Sequence, residues 1–332
     1  MKNFYRFCLC SVIISFTLAT LVCTLPQRAE YVSVEKEDFI KWVDFNVTYN
    51  AMADCLEYDI ATNGTEKHTS WIKLLAYLAA TGGGNFNSYK KSALKKVTDA
   101  IDSGKTIEEL SKNVVHYPYY FEAYSAVLDG FVGEYEIEKD DGAFEKKYGL
   151  KAFLPIAKGY SYSHFDDFGA SRSYGFKRKH LGHDMMGSVG TPVIAVESGY
   201  VECVGWNQYG GWRIGIRSFD KKRYYYYAHL RRDHPYNDMY EGKVVTAGDV
   251  IGYLGMTGYS TKENVNNINT PHLHWGMQLI FDESQKEANS EIWIDVYAIT
   301  KLLERNRSAV VRNDEEKEYE RKYEMFEKGM EK

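Results

Sequence analysis

The sequence predicts an α+β, multidomain protein in which an N-terminal helical module precedes an antiparallel, β-rich domain. Between residues 35 and 135 apolar residues recur at helical spacing, as in Phe39, Ile40 and Val43. From about residue 150 the chain changes to short runs rich in β-branched and aromatic residues, separated by glycines, which is typical of hairpin-rich sheets. We therefore assign residues 150–300 to the β-rich domain.

Composition excludes several classes of protein. The 332 residues are 44% hydrophobic, enough for a substantial core, and 41 basic against 46 acidic residues give a net charge of −5, so no nucleic-acid partner is expected. Of five cysteines only Cys55 and Cys203 lie beyond the first 25 residues, which excludes a disulfide scaffold and a thiolate zinc site. Seven of the nine histidines fall between residues 164 and 274, which indicates where chemistry is concentrated.

The N-terminus resembles an export signal. Lys2 and Arg6 precede the uncharged, mostly apolar run Phe7–Leu25, which is long enough to span a bilayer as a helix. No clear small-residue cleavage site follows, so we expect residues 1–26 to be an uncleaved signal anchor, with a cleaved signal peptide as the alternative. The basic residues would stay in the cytoplasm and the rest of the chain would lie outside, with the membrane as a partner through this segment.

Start and stop signals support the helices of the N-terminal module. Ser70 can cap a helix over 71–80 that ends at Gly82–Gly84, and Thr106 with Glu109 forms a capping box. The module carries no cluster of catalytic residue types, and its role is unknown. Residues 138–142 form a plausible linker.

The C-terminal tail, residues 313–332, is strongly charged. Glu318 and Lys322, and Glu324 and Lys328, stand at i,i+4 spacing, which predicts a solvated helix or a disordered extension.

Three short segments contain the histidines with the spacing of a chemical site. The positions of His180 and Asp184 differ by four, an even number, which places both side chains on one face of an extended segment. His272 and His274 differ by two and share a face for the same reason. His229 follows an aromatic strand. Two histidines and a carboxylate form a nitrogen and oxygen ligand set suited to zinc, with a fourth position left for water.

At these positions the sequence resembles the LytM/lysostaphin-type zinc endopeptidases of peptidase family M23. The resemblance covers about residues 155–282, and its motifs stand in the family's order: His180-x-Gly-x-Asp184, Gly190-Thr-Pro-Val-x-Ala195, Tyr-Ala-His229-Leu, Gly248-x-x-Ile-Gly252, Gly255-x-Thr-Gly258-x-Ser260 and Pro-His272-Leu-His274. It does not extend to the helical module or the tail.

The resemblance implies a site and a substrate. It implies one zinc ion per chain, held by His180, Asp184 and His274, with His229 and His272 as unligated catalytic histidines whose individual roles stay open. It also implies hydrolysis of the peptide part of bacterial peptidoglycan, in the stem peptide or a cross-bridge, by a protein of the cell envelope that is anchored or secreted. The sequence does not say which peptide bond is cut or which oligomer forms.

Two other functions are compatible with the resemblance. One is a catalytically silent LytM-type module that binds peptidoglycan or a partner and regulates another cell-wall hydrolase. The other is a scaffold that spans the envelope, which does not exclude activity. Silent members typically lack one or more ligand or catalytic residues, whereas all five positions are filled here, so the enzyme is favoured.

Several residues near the motifs need separate interpretation. By strand parity His183 faces away from Asp184 and is predicted not to be a ligand, and the Asn-rich loop 261–270 is predicted to lie on the rim of the substrate groove. Tyr225 and Tyr227 share the parity of His229 and so point toward the groove, although core packing is the stronger expectation. Surface roles are expected for the remaining histidines, which are His68, His116, His164 and His234.

Overall fold

A computed structural model describes residues 39–173, 177–286 and 290–327. The predicted signal anchor or signal peptide at 1–26 lies outside these residues. Within the described ranges no helix has both the length and the apolar composition needed to cross a membrane. The chain from Ile40 onward forms one compact unit.

Helices dominate the first ninety described residues. They are α1 (Tyr49–Thr62), α2 (Trp71–Gly82), α3 (Lys91–Asp102), α4 (Ile107–Ser111) and α5 (Tyr117–Leu128). The predicted caps are confirmed: Ser70 Oγ accepts from Lys73 N, Gly83 ends α2 in the left-handed conformation with φ 75°, and Thr106 and Glu109 form the capping box. These caps satisfy backbone groups at the helix ends, which would otherwise have no intrahelical partner.

An antiparallel sheet of eight strands forms the centre of the protein. Its path runs β11-β8-β9-β10-β13-β6-β3, and β14 pairs with β13 beside that path. The strands are β3 (Ser163–His164), β6 (His183–Met186), β8 (Gly199–Asn207), β9 (Gly211–Ser218), β10 (Arg223–Ala228), β11 (Val244–Val245), β13 (His272–Leu279) and β14 (Ile292–Ile294). The predicted antiparallel, β-rich domain is therefore confirmed, and β10 and β13 carry or immediately precede three of the predicted site histidines.

Smaller sheets and one more helix surround this centre. They comprise β1 (Val132–Glu138) and β2 (Phe144–Leu150) with β17 (Met325–Glu327), β4 (Ser171–Ser173) with β5 (Lys177–Lys179), β7 (Pro192–Ile194) with β12 (Val250–Tyr253), β15 (Val310–Asn313) with β16 (Glu318–Arg321), and α6 (Tyr297–Leu303). The predicted linker at 138–142 is the turn of the β1–β2 hairpin. A short 3₁₀ helix, Glu283–Lys286, precedes β14.

The helical region and the β-rich region share one hydrophobic core. One hydrophobic cluster runs from the helices, through Trp71 and Phe131, to the sheet residues Ile214 and Trp275. A periodicity change reports a change of secondary structure but does not show whether the two parts bury their apolar faces against each other. Here they do, and the described residues of both regions from Ile40 onward lie in one compact unit.

The helix or disordered extension predicted at 313–332 is wrong for the described part of the tail. Residues 310–321 form the β15–β16 hairpin, and β17 adds a strand to β1. Met325 is 1% exposed and packs with Phe153 and Tyr253. Each i,i+4 ion pair is worth only a few tenths of a kcal/mol, whereas burying one large apolar side chain is worth about 1.5–3 kcal/mol, so packing decides the structure.

A buried ion pair joins the helices to the sheet. Arg223 on β10 donates to both carboxylate oxygens of Glu197, at 2.8 and 3.1 Å, and to the carbonyl of Ala126 in α5 at 2.9 Å. The hydroxyl of Tyr225 donates to the same carboxylate. The side chains of Arg223 and Glu197 are almost fully buried. Each charge has therefore lost its hydration and is stabilised mainly by the other.

Replacing Arg223 with methionine is expected to lower the free energy of unfolding by about 3–5 kcal/mol, because Glu197 would remain buried without its cation. Urea denaturation of the full chain measures this loss. Adding Glu197→Gln should recover part of it, since the stranded charge is then removed. The exposed Arg312 provides a matched control, for which Arg312→Met should change stability by less than about 0.5 kcal/mol. Equal losses of unfolding free energy in Arg223→Met and Arg312→Met would contradict a stabilising role for the buried Arg223–Glu197 pair.

Candidate active site

A groove of about 350 Å³ lies over the end of the central sheet where β6, β10 and β13 meet. Its lining includes all five residues that the motifs single out, His180, Asp184, His229, His272 and His274. The loop segment 267–270 lines the same groove, which agrees with the predicted rim position of the 261–270 loop.

Three of these side chains converge on one point. The Nε2 atom of His180 lies 3.0 Å from Asp184 Oδ1 and 3.0 Å from His274 Nδ1, and the last two atoms are 2.9 Å apart. Asp184 and His274 face each other across the β6–β13 ladder, and His180 precedes β6. Gly182 permits the convergence, because a Cβ atom there would lie 2.5 Å from His274 Nε2.

The donor set fits a zinc ion. Zinc binds histidine nitrogen and carboxylate oxygen at about 2.0–2.2 Å in a tetrahedron, which requires ligand atoms a little over 3 Å apart. The three separations of 2.9–3.0 Å are close to that requirement. Among the described residues, no other set of three histidine, cysteine or carboxylate side chains has its atoms close enough to share a metal ion. His180 would bind through Nε2 and His274 through Nδ1.

The protein holds this carboxylate ionised. Burial alone would raise the pKa of Asp184, but hydrogen bonds with His180 and His274 outweigh burial and keep it well below its ordinary value. Burial lowers the pKa of His274, and the Asp184 carboxylate opposes that shift. Metal binding needs an ionised carboxylate and neutral imidazoles. The hydrogen bonds to Asp184 and the burial of His274 favour these two states.

His229 and His272 are each hydrogen-bonded through Nδ1, which leaves Nε2 available in both rings. His229 Nδ1 lies 2.8 Å from the carbonyl of Thr257, and His272 Nδ1 lies 2.8 Å from the carbonyl of Thr270. Because a carbonyl oxygen only accepts, each Nδ1 must donate, which leaves Nε2 as the proton acceptor. The two rings are 4.8 Å apart, and His272 Nε2 lies 3.7 Å from Asp184 Oδ1.

The backbone conformation of His229 interrupts the alternation of side chains along β10, which contains Tyr224–Tyr227. β10 ends at Ala228, and His229 has φ 60°, so its side chain does not continue the alternation of the strand. Tyr225 and Tyr227 are accordingly fully buried, as the core-packing alternative predicted, and Tyr226 lines the groove with its ring 5.9 Å from that of His274. Burial, and then the neighbouring His272 and His274, lower the pKa of His229 well below its ordinary value.

Two residues that the sequence analysis did not single out support His180. His180 Nδ1 is hydrogen-bonded to the Asp167 carbonyl at 3.3 Å, and the Asp167 carboxylate lies 3.2 Å from the same nitrogen. This carboxylate is itself held by a salt bridge to Arg172. Backbone bonds fix this approach, since His180 N donates to the Ala170 carbonyl and Gly169 N donates to the His180 carbonyl. Arg172 also reaches Asp184 Oδ2 at 3.4 Å. No regular spacing links residue 167 to residue 180, so only the folded loop reveals the contact.

A second arginine lines the groove without a salt bridge to any described residue. Arg178 on β5 donates to the hydroxyl of Tyr259, and its guanidinium carbon lies 5.1 Å from the centre of that ring. The Tyr259 ring in turn stacks on His229 with centroids 5.8 Å apart. Burial, and then the like charge of Arg172, lower the pKa of Arg178.

The remaining histidines lie outside the three-residue convergence. His183 is 2% exposed, and its Nε2 lies 2.8 Å from Nδ1 of the partly buried His164. His164, for which a surface role was expected, is therefore paired with a buried histidine. Burial, and then His164, lower the pKa of His183 to about 3. His234 is exposed and pairs with Glu318, and His116 is exposed at the start of α5, as expected. His68 is partly exposed and bonds to the buried Asp59 at 2.8 Å.

Comparison with known proteins identifies the fold around the groove. The model of peptidase family M23 matches residues 178–288, a segment that contains all five groove residues named by the motifs. This segment belongs to peptidase family M23. The β-rich catalytic domain of this family is thus the region that builds the groove.

Known endopeptidases are similar to part of this chain. An L-Ala–D-Glu endopeptidase of Bacillus subtilis is 41% identical over 130 residues, which cover 39% of this chain and 38% of that protein. Lysostaphin of Staphylococcus simulans is 40% identical over 97 residues, 29% of this chain and 17% of that protein. The chain thus spans well under half the length of these relatives.

A solved structure extends the similarity in fold. The crystal structure of a Ruminococcus gnavus protein described as a glycyl-glycine endopeptidase lytM superposes with a TM-score of 0.54 at 24% identity. The match covers 80% of this chain and 91% of that one. It therefore includes residues outside the M23 segment as well as the β-rich domain.

Proposed function

We propose that this protein is a zinc-dependent endopeptidase that hydrolyses peptide bonds in bacterial peptidoglycan. The observation that carries the proposal is the convergence of His180, Asp184 and His274 beside two imidazoles, His229 and His272, that each present a free Nε2. Zinc would be held by the first three residues, one ion per chain. The catalytic region would occupy about residues 150–300.

The groove residues fit hydrolysis of an amide bond. When bound, zinc supplies Lewis acidity that makes water a nucleophile near neutral pH and polarises the scissile carbonyl. The Nε2 atom of one imidazole accepts the proton of the attacking water and passes it to the leaving amine. The other, once protonated at Nε2, donates to the oxygen on which negative charge develops. Their Nδ1 bonds to backbone carbonyls keep both rings oriented through these steps.

The substrate and location rest on the relatives. Their names describe endopeptidases for L-Ala–D-Glu and for glycyl-glycine bonds and a peptidoglycan DD-endopeptidase. We propose accordingly that this chain acts on a stem peptide or a cross-bridge and works outside the cytoplasm, in the cell envelope. Membrane attachment through residues 1–26, or secretion after their cleavage, belongs to the same proposal.

Metal analysis combined with digestion of purified peptidoglycan tests the function. The purified full chain should contain one zinc per protein and release soluble muropeptides, which mass analysis assigns to one cleaved bond. A strong chelator should stop the release and added zinc should restore it. A protein that carries no zinc and releases nothing from peptidoglycan would contradict the enzyme and favour a silent binding module.

Replacing Asp167 with asparagine is expected to weaken zinc binding by about tenfold, because the carboxylate beside His180 Nδ1, which makes the ring more basic, would be lost. The Asp167 carbonyl stays as a hydrogen-bond partner of Nδ1, so the loss should lie at the lower end of the range for such supporting contacts. Competition with a chromogenic chelator measures the affinity directly. The neighbouring Asp166 is exposed, so Asp166→Asn is a matched control and should leave the affinity unchanged. Equal affinities for both variants would show that Asp167 does not support the metal site.

A further inference from the structure

The charges that line the groove are not balanced once a metal is bound. Arg172 is already engaged by Asp167 and Asp184, whereas Arg178 forms no salt bridge within the described part of the chain. Asp184 is the only carboxylate among the described residues that line the groove, and it is hydrogen-bonded to His180 and His274. With a divalent cation added, the groove has an excess of positive charge that a substrate can compensate.

The position of Arg178 relates this charge to the reacting centre. Its guanidinium lies against Tyr259, and Tyr259 stacks on His229, so a single aromatic ring separates the cation from a catalytic imidazole. Tyr209 lies on the same side, with its ring centre 5.9 Å from the guanidinium carbon. These rings limit the freedom of the side chain, which lowers the entropy cost of binding a partner.

Arg178 also carries hydrogen-bond donors for which the described residues provide no acceptor. A guanidinium carries five N–H groups, and the described contacts include the donation to the Tyr259 hydroxyl. Its Nε is buried and makes no hydrogen bond to the described residues. A planar fork of N–H groups matches a carboxylate through two parallel bonds, which is stronger and more selective than contact with a neutral amide.

We propose that Arg178 binds a carboxylate of the substrate, and that the groove selects acidic peptides carrying this carboxylate next to the scissile bond. The inference rests on the proposed endopeptidase function and specifies its substrate class. The selected peptide is one with a free side-chain or α-carboxylate within about one residue of the bond that is cut. A run of glycines, which has no such group inside the chain, is disfavoured.

The test compares two peptides that differ by one carboxylate. The probes are a blocked L-alanyl-D-glutamyl-L-lysine peptide and its D-glutaminyl isostere, each incubated with the full chain in the presence of stoichiometric zinc. The wild type should show kcat/KM about 10- to 100-fold higher for the acidic peptide, as expected for a charge-assisted pair. Arg178→Met should reduce this ratio to near one, chiefly through a loss of kcat/KM for the acidic peptide.

Control variants distinguish the effect of the planar guanidinium group from the effect of its positive charge. Arg178→Lys keeps the charge but not the planar fork and should retain only part of the preference. Arg312→Met removes an exposed cation far along the chain, outside the groove lining, and should keep the full preference. A wild-type ratio near one, or an unchanged ratio in Arg178→Met, would overturn the inference while leaving the proposed hydrolysis intact.

Equilibrium binding keeps the inference testable if no hydrolysis occurs. Failure to cleave either peptide or peptidoglycan would contradict the proposed function. Titration calorimetry of both peptides with the full chain then decides the inference by itself. Tighter binding of the acidic peptide to the wild type, lost in Arg178→Met, supports it, and equal affinities of the two peptides for the wild type overturn it.

Discussion

Replacing His274 with alanine is expected to remove stoichiometric zinc and to lower peptidoglycan hydrolysis by about a thousandfold or more. His274 Nδ1 lies within 3.0 Å of both other ligand atoms, so its loss leaves a two-ligand site. Two ligands cannot define the tetrahedral catalytic site, which uses three protein ligands and one open position. Metal content of the dialysed protein and the rate of muropeptide release measure the two effects together.

The control for this change is another histidine outside the groove. His116 is exposed at the start of α5, so His116→Ala should keep both zinc and activity. Because removal of a ligand also leaves Asp184 near fewer partners, a circular dichroism melt should accompany the assay to show that His274→Ala is folded. A folded His274→Ala protein with one zinc ion and full activity would contradict the assignment of this residue as a ligand.

Replacing His229 or His272 with alanine is expected to leave zinc bound and to lower kcat by about 10²- to 10⁴-fold, the usual contribution of a positioned proton-transfer group. Neither residue belongs to the group of atoms that can share the metal. Both are held through Nδ1 by backbone carbonyls, so the free Nε2 is the functional atom that each substitution removes. Metal analysis and steady-state kinetics on the same preparation distinguish loss of chemistry from loss of metal.

Comparison of the two variants refines the roles of these histidines. If they act together on one proton path, the double variant should be hardly slower than the worse single variant, because effects within a catalytic unit are not additive. Loss of zinc from either variant would contradict the division between ligands and catalytic histidines. A protein that keeps both zinc and full kcat without His229 would exclude that residue from the reaction.

Local patterns predicted the central part of the site because the relevant geometry is itself local. The i,i+2 spacing of His272 and His274 predicts a shared face on β13, and both line the groove. The i,i+4 spacing of His180 and Asp184 predicted their proximity, although His180 precedes β6 and approaches Asp184 through the Gly182 turn. The helix caps at Ser70 and Thr106 were predicted for the same reason, since a cap involves residues three apart.

Predictions from periodicity failed where long-range packing or an unusual backbone torsion intervened. The positive φ of His229 interrupts strand parity, so that Tyr226 and not its neighbours lines the groove. In the tail, burial of Met325 against Phe153 outweighs weak Glu–Lys pairs and produces strands. Periodicity also does not report which apolar faces meet, so the packing of the helices against the sheet was not predicted.

The sequence by itself determined the chemical identity of the centre, namely a histidine and carboxylate set in the order of family M23. Only the tertiary structure showed what surrounds it. Arg172 and Arg178 line the groove, and Asp167 contacts His180, because the 167–170 loop and the paired strands β4 and β5 lie beside His180. No spacing in the sequence encodes that arrangement. Ligand chemistry depends on residue type at short spacing, whereas orientation and selectivity depend on contacts between distant segments, which form only when the core packs.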